Sequence, residues 1–224
     1  MKPGLARRLA AEAIGTAFLL AIIIGSGIMG ERLAGGNVAI ALLANSLATG
    51  CGLAVLILVM APISGAHFNP VVTLVAVLER DLEWRDAGAY VIVQVIAAFA
   101  GVAAAHLMFA EPLFSASIRV RTGAPQWFSE ALAAFGLVAV ILGCVRQKIA
   151  ATPLAVAAYI TSAYWFTSST SFANPAVTLA RSASNTFAGV RPDDVAAFVV
   201  AQVAGGLAAL IVMSWLVPAP KAQP

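Results

Sequence analysis

The sequence predicts an all-α membrane protein with six transmembrane helices and two shorter helices that enter the membrane without crossing it. Of its 224 residues, 61% are hydrophobic and only 10% are charged, whereas a soluble domain carries about 25% charged residues. Six apolar runs have about the 20 residues that a helix needs to cross the hydrocarbon layer. Two further apolar runs, each opened by an Asn-Pro pair, are too short to do so.

This composition excludes a soluble enzyme, a disordered protein and a nucleic-acid-binding module. The net charge of +3 comes from basic residues scattered between apolar runs, so no basic patch for nucleic acid is expected. Cys51 and Cys144 lie inside apolar stretches and lack the spacing of metal ligands. We therefore expect no disulfide framework, no metal site and no cofactor.

The full spans are predicted at residues 9–29, 38–60, 87–109, 128–146, 153–169 and 194–216. The short helices are predicted at 70–78 and 175–184, each starting at the proline of an Asn-Pro pair. Proline is favoured at the first helical position because its missing N–H would have no partner there. At 1.5 Å per residue, each short helix covers about half a bilayer, which indicates a re-entrant segment.

The distribution of Lys and Arg predicts that both termini lie in the cytoplasm. In that orientation eight basic residues, among them Lys2 and Lys221, face the cytoplasm and five face outward. Arg7 and Arg8 beside the first span agree with the positive-inside rule. A cleaved signal peptide over the first 27 residues is the alternative, but the apolar stretch is too long for one and its Glu12 recurs later in the chain.

An internal repeat places three landmarks, a Glu, an Asn-Pro and a Gln, in the same order in each half of the chain. They are Glu12, Asn69 and Gln94 in the first half and Glu130, Asn174 and Gln202 in the second. We expect one channel domain over residues 1–224, with repeats at about 5–110 and 127–217. Three spans per repeat turn the second half upside down, so the short helices meet by their N-termini near the midplane, which is a transport architecture.

The segments before the two short helices, Pro62–Phe68 and Thr167–Ala173, are predicted to be non-helical and to line a wet cavity. Non-helical backbone at that depth is tolerated only where it is buried or borders such a cavity. Asn69 and Asn174 are expected to donate hydrogen bonds to the solute at a central constriction. The carbonyls expected to accept from it are those of Gly65, Ala66, His67, Ser169 and Thr170.

With these motifs the two halves resemble those of the aquaporin/aquaglyceroporin (major intrinsic protein) family, whose signature is a pair of Asn-Pro-Ala motifs. The chain has Asn69-Pro70-Val71 and Asn174-Pro175-Ala176, and the match covers nearly all of residues 5–217. The resemblance implies the aquaporin fold, one pore per subunit, a homotetramer and a bacterial inner membrane. It also implies that four buried polar side chains hold the re-entrant loops in place: Glu12, Glu130, Gln94 and Gln202.

The resemblance further implies an outer selectivity filter, in which an Arg normally follows the second Asn-Pro-Ala. Here that position is Val177, and the other filter positions carry over to Thr49, Ser162 and Ser171. Because none of the four is aromatic or charged, we expect a wide, neutral filter. Arg181, one turn further along, is expected to extend to the membrane interface; the alternative is that it supplies a displaced positive charge to the outer vestibule.

These departures resemble a bacterial aquaglyceroporin-like group associated with arsenic detoxification. The implied function is a passive channel for small neutral solutes in the lipid bilayer: glycerol-like polyols, arsenite and antimonite as neutral hydroxides, methylated arsenicals and water. A water-selective aquaporin is one alternative. A secondary transporter also uses inverted repeats and broken helices but needs a coupling-ion site. An intramembrane serine protease is suggested only by Ser64 near His67 and by Gly25-Ser26-Gly27. Local spacing does not set the geometry of a catalytic triad and no repeat supports a catalytic pair, so no enzyme is predicted.

Overall fold

The computed structural model describes residues 3–218, which form eight α-helices and one short 3-10 helix, Pro192–Asp194. The predicted cytoplasmic Lys2 and Lys221 lie outside the described residues. Five of the helices are long and apolar enough to cross a membrane. The α-helices are α1 Leu5–Leu33, α2 Val38–Ser64, α3 Pro70–Leu78, α4 Trp84–Phe109, α5 Ala124–Arg146, α6 Thr152–Phe166, α7 Pro175–Arg181 and α8 Val195–Leu216.

The short helices α3 and α7 begin at the predicted prolines, and α3 also ends where the sequence predicts. Helix α7 ends at Arg181, three residues earlier than expected. The carbonyls that follow it are used by the loop before α5, because Ser117 N–H donates to Ser182 O at 2.9 Å and Ser115 N–H donates to Ala183 O at 3.0 Å. These bonds replace the ones that would have continued the helix.

Two boundaries of the long helices differ from the prediction near the re-entrant segments. Helix α2 continues through Pro62 and ends at Ser64, and the next residue, Gly65, has a left-handed φ of 91°, so the predicted non-helical start at Pro62 is wrong. Helix α6 ends at Phe166 after 15 residues and spans about 22 Å, less than the hydrocarbon core of about 30 Å. The backbone is extended from Thr167, because the second re-entrant segment begins there.

Each half of the chain is built on one close pair of helices. Helix α1 packs against α4 in the first half, and α5 packs against α8 in the second. Both contacts depend on a glycine: a Cβ on Gly101 would lie 2.2 Å from Ala17 O, and a Cβ on Gly205 would lie 2.0 Å from Ala131 O. Helices α2 and α6 pack together, and the short helices α3 and α7 both pack against α4 and α8. The long helices therefore form a frame around the two short ones.

The glycine contact predicts that Gly101→Ala destabilises the protein by about 1–3 kcal/mol, the usual cost of overpacking a buried contact. The added methyl group would meet the carbonyl of Ala17, so α1 and α4 must move apart. Thermal unfolding in detergent measures the effect. Gly88→Ala on the same helix is the matched control, since a Cβ there meets no atom within 4 Å. Equal melting temperatures for the two variants would contradict the prediction.

Candidate functional site

The two short helices begin at asparagines that cap them. Asn69 Oδ1 accepts a hydrogen bond from Val71 N–H at 2.9 Å. Asn174 Oδ1 accepts from Ala176 N–H at 3.0 Å and from Val177 N–H at 3.3 Å. An Asn at this position satisfies N–H groups that have no partner within the helix. Both asparagine side chains are thereby held at the start of their helices.

The asparagines also join the two half-helices head to head. Asn69 Nδ2 donates to Ala173 O at 2.8 Å, and Asn174 Nδ2 donates to Phe68 O at 2.7 Å. Each side chain thus bonds to the backbone residue that precedes the other asparagine. Because an amide group carries two hydrogens, each asparagine keeps one donor beyond this mutual contact. Asn69 and Asn174 both border the cavity described below.

Two buried glutamates hold the segments that lead into the short helices. Glu12 accepts from His67 N–H at 3.0 Å and from Phe68 N–H at 2.7 Å. Glu130 accepts in the same way, at 2.9 Å each, from the N–H groups of the two residues before Asn174. Both glutamates are fully buried. Each therefore supplies acceptors to backbone donors that no water in a membrane core would satisfy.

The glutamates hold a backbone that is locally strained. Phe68 and Ala173, each directly before an asparagine, both have a φ of 50°, in the left-handed region that favours glycine. Such conformations cost on the order of 1–3 kcal/mol each in other residues and persist only where the surroundings impose them. Ala66, Thr170 and Ser171 share this conformation. It turns the chain so that consecutive N–H groups reach one carboxylate.

A glutamine completes the network in each half. Gln94 Nε2 donates to Glu12 Oε2 at 2.9 Å and to Thr73 Oγ1 at 3.0 Å. Gln202 makes the two corresponding bonds in the second half, at 2.6 Å to the glutamate and at 2.8 Å to the threonine of the short helix. Both glutamines are fully buried. The structure thus brings two of the three repeated landmarks, the Glu and the Gln, into contact in both halves, and the Asn directly follows the backbone N–H groups that the Glu binds.

A cavity of about 590 Å³ passes the meeting point of the short helices. It is bordered by Glu79, just after the C-terminal end of α3, and by Arg181, the last residue of α7. It therefore extends to both sides of the two asparagines. Aliphatic side chains form much of its wall, including Val72, Leu137 and Ile160.

The predicted carbonyl positions divide into two groups. Gly65, Ala66 and His67 border the cavity, whereas Ser169 and Thr170 are not among its lining residues. The Ser169 carbonyl instead accepts a hydrogen bond from Arg121 Nη1 at 3.0 Å. In the second re-entrant segment the cavity is lined by the residues that follow, Ser171 and Phe172.

Three of the four predicted filter residues, Thr49, Ser171 and Val177, are buried and border the cavity. The fourth, Ser162, does not: its side chain lies on the exposed face of α6 and donates to Tyr159 O within the helix. Tyr164 borders the cavity instead, and its hydroxyl donates to Thr49 Oγ1 at 3.3 Å. Two positions along a helix turn the side chain by about 200°, which explains the error.

Arg181 is buried in the cavity wall, so its predicted extension to the interface is wrong. Only 2% of its surface is exposed. Its Nε donates to Ala188 O, and its Cζ lies 3.3 Å from the ring centre of Phe172. The loop after α7 folds back over it, since Val190 N–H donates to Arg181 O. The part of the cavity wall beside Arg181 therefore carries a charge, in addition to the neutral side chains of Thr49, Ser171 and Val177.

Arg121 was not identified from the sequence, because its loop carries no motif. Its Nε donates to Gly189 O at 2.9 Å, and its Cζ lies 5.0 Å from the ring centre of Phe172. Burial lowers the pKa of Arg121 to about 10, so the guanidinium stays charged at neutral pH. The place of His106 near the end of its span predicts an interfacial side chain, but the side chain is fully buried; its Nδ1 lies 2.8 Å from Leu113 O and its Nε2 2.8 Å from Ser184 Oγ.

Apolar helices that surround two head-to-head half-helices and a continuous cavity define a membrane channel. The sequence matches the major intrinsic protein family over residues 1–158. It is also 55% identical to Aquaglyceroporin AqpS of Rhizobium meliloti (strain 1021), over 95% of this chain and 91% of that protein. The chain therefore belongs to the major intrinsic protein family, as its motifs predict.

Other relatives agree with this assignment. The chain is 31% identical to Aquaporin NIP6-1 of Arabidopsis thaliana, over 66% of this chain, and the match spans about half of that protein, 48%. It is 34% identical to Glycerol uptake facilitator protein-like 6 of Lactiplantibacillus plantarum, over 61% of this chain and 62% of that protein.

The fold also matches a solved structure. The aquaglyceroporin from Plasmodium falciparum superimposes with a TM-score of 0.70 at 22% identity, over 94% of this chain and 96% of that one. The predicted aquaporin fold is thereby confirmed. The protein is a multi-pass membrane channel of a family that conducts small neutral solutes and does not catalyse reactions.

The buried carboxylates predict that Glu130→Gln lowers the stability of the channel. An amide in place of the carboxylate presents a donor to N–H groups that need an acceptor, and each lost bond to a charged group costs about 1.5–3 kcal/mol. We expect a thermal midpoint in detergent that is lower by several degrees.

The matched control for this prediction is Glu111→Gln. Glu111 forms an exposed ion pair with Arg32, and such pairs contribute about 0–1 kcal/mol. The role assigned to Glu130 would be refuted if Glu130→Gln melted no lower than Glu111→Gln.

Proposed function

We propose that the protein is a passive channel for glycerol-like polyols, for arsenite and antimonite as neutral hydroxides, for methylated arsenicals and for water. The observation that carries this proposal is Val177. It occupies the position where the family has an arginine, it is buried, and it borders the cavity. A short apolar side chain there leaves room that a long guanidinium would occupy.

The cavity wall matches the chemistry of these solutes. The hydroxyl groups of Thr49 and Ser171 and the amides of Asn69 and Asn174 border the same cavity as the aliphatic residues. Polyols and neutral metalloid hydroxides carry several hydroxyl groups that donate and accept hydrogen bonds. A wall that alternates polar groups with apolar surface satisfies those hydroxyl groups and accommodates the rest of the molecule.

The ends of the short helices supply the charge selection. Each helix N-terminus acts as about half a positive charge. The hydrogen bonds of Asn69 and Asn174 bring the N-termini of α3 and α7 together. One full charge opposes a cation about 4 Å away by roughly 4 kcal/mol at an effective dielectric constant of 20. A neutral solute meets no such barrier. The channel accordingly conducts uncharged molecules and rejects cations.

We also propose the arrangement of the protein in the cell. Residues 1–224 form one channel domain with repeats at about 5–110 and 127–217, assembled as a homotetramer in the bacterial inner membrane with both termini in the cytoplasm. The supporting observation is the broad apolar outer surface, where large side chains such as Val55, Ile96 and Val200 are exposed. Such a surface suits lipid or further copies of the chain.

A water-selective channel is the second candidate, and two residues favour it. Tyr164 and Arg181 border the cavity near Val177, and both are bulky. The direct test is stopped-flow flux of water, glycerol, urea and arsenite into proteoliposomes at several pH values. Fast glycerol and arsenite entry supports the proposed function, whereas water entry alone supports the second candidate. Arsenite as its neutral acid should cross, and its anion should not.

The position of Val177 predicts that Val177→Arg slows glycerol and arsenite entry by about tenfold or more while water flux stays measurable. The added guanidinium would occupy the opening and add a charge beside Arg181, and a barrier of about 1.4 kcal/mol already corresponds to a tenfold lower rate. Stopped-flow light scattering of proteoliposomes gives both rates.

Val177→Ala is the control, since it removes bulk without adding charge and is expected to retain glycerol flux. Protein content per vesicle is matched by immunoblotting. If glycerol and arsenite permeability were the same in Val177→Arg as in the wild type, Val177 would not line the narrow part of the pathway.

A further inference from the structure

The buried guanidinium of Arg181, which borders the cavity, and the partly buried guanidinium of Arg121 share one aromatic ring. The Cζ atoms of Arg181 and Arg121 both lie within 5.0 Å of the ring centre of Phe172. Within residues 3–218, neither arginine forms an ion pair with a carboxylate. Their recorded hydrogen bonds go to carbonyl and hydroxyl oxygens.

The carboxylates nearby are already used by other donors. Glu130 accepts from two backbone N–H groups and from Gln202. Asp194 accepts from the backbone N–H of Arg121 and from the side chain of Arg191, with which it forms an ion pair. Asp193 also lies 3.7 Å from Arg191, but its side chain is exposed to solvent. Among the described residues, the buried guanidinium of Arg181 therefore has no carboxylate of its own in the cavity wall.

An unpartnered hydroxyl group borders the same cavity as Arg181. Only 3% of the surface of Ser171 is exposed, and the residue borders the cavity, as Arg181 does. Its Oγ has no hydrogen-bond partner among the described residues. Arg181 uses Nε for Ala188 O, and its two terminal nitrogens make no hydrogen bond within residues 3–218. The Arg181 guanidinium and the Ser171 hydroxyl thus border one cavity, and each has hydrogen-bond donors without a partner among the described residues.

We propose that the outer end of the cavity binds a small monovalent oxyanion between the guanidinium of Arg181 and the hydroxyl of Ser171. Hydrogen bonds between charged groups are about twice as strong as those between neutral groups, and a buried charge without a counter-ion is costly. A bound anion offsets that cost. Arg121 acts through Phe172 as a positioning residue and adds to the attraction.

This anion acts as a blocker and does not cross. Inward of Arg181 the aliphatic side chains of Leu137 and Ile160 line part of the wall and cannot replace the hydration of a charged group, although the N-termini of the two short helices attract an anion near the midplane. The acidic Glu79 and Asp81 border the other end of the cavity. A bound anion therefore stays beside Arg181 and slows the passage of neutral solutes. This consequence for flux rests on the proposed channel function, whereas binding itself does not.

The test uses methanesulfonate, which remains an anion at all accessible pH values, and dimethyl sulfone, a neutral molecule of similar size. Each is added at equal concentration on both sides of proteoliposomes, and glycerol entry is followed by stopped flow. Methanesulfonate at its dissociation constant occupies half of the channels, so the glycerol rate falls about twofold. Dimethyl sulfone leaves the rate unchanged.

Each variant is scored against its own rate without the anion. Arg181→Gln is expected to lose the inhibition, Arg181→Lys to retain part of it, and Ser171→Ala to need a several-fold higher anion concentration. Arg32→Gln is the matched control: it removes an exposed arginine that is paired with Glu111, and it should be inhibited like the wild type. Unchanged glycerol flux in the presence of methanesulfonate, or equal inhibition of Arg181→Gln and the wild type, would overturn the proposal.

A second measurement tests anion binding independently of solute flux. A ligand that binds only the folded protein raises its thermal midpoint, so methanesulfonate should stabilise the wild type and Arg32→Gln in detergent but not Arg181→Gln. Stabilisation without any glycerol flux would support the anion site and refute the proposed channel function. Glycerol flux without stabilisation or inhibition by methanesulfonate would refute the site alone.

Discussion

The structure depends on how two non-helical segments are satisfied in the interior of a membrane protein. Backbone N–H and C=O groups at that depth have no bulk water, so the protein must supply their partners. Glu12 takes the two N–H groups before Asn69, and Glu130 takes the two before Asn174. The side chain of each asparagine then donates to the carbonyl of the residue before the other asparagine. Buried charge is expensive unless it is fully bonded, and here each carboxylate meets that condition.

This network explains why the surrounding helices are arranged as they are. Each glutamate lies on the first long helix of its half and each glutamine on the last, so the loop is held between α1 and α4 or between α5 and α8. Those two pairs are the ones in which a glycine lets the backbones approach, at Gly101 and Gly205. The close approach of the two helices in each pair therefore also positions the re-entrant loop between them. The cavity passes the point at which the two half-helices meet.

The outer end of the cavity departs from the pattern that the family motif implies. Position 177 carries valine in place of the family's arginine. Two other arginines lie against the ring of Phe172: Arg181 at the end of α7 and Arg121 in the loop before α5. The ring of Phe172 lies against both guanidinium groups, and cations are attracted to the face of an aromatic ring. The cavity wall thus combines a short apolar side chain at position 177 with a fixed charge at Arg181.

The sequence by itself determined the membrane class, the short helices and the repeat, since these depend on local features: the length of apolar runs, proline after asparagine, and three landmarks repeated in order. It also placed Glu12, Glu130, Gln94 and Gln202 near the loops through the family resemblance, and the structure brings them there. Only the tertiary structure decided which side chains border the outer cavity. Tyr164 replaced Ser162 because the rotation of α6 is set by its packing against α2 and α5. Arg181 is buried because the loop after α7 folds back over it and the distant loop before α5 bonds to the residues that follow α7. Such contacts join residues far apart in the chain, so no local pattern encodes them.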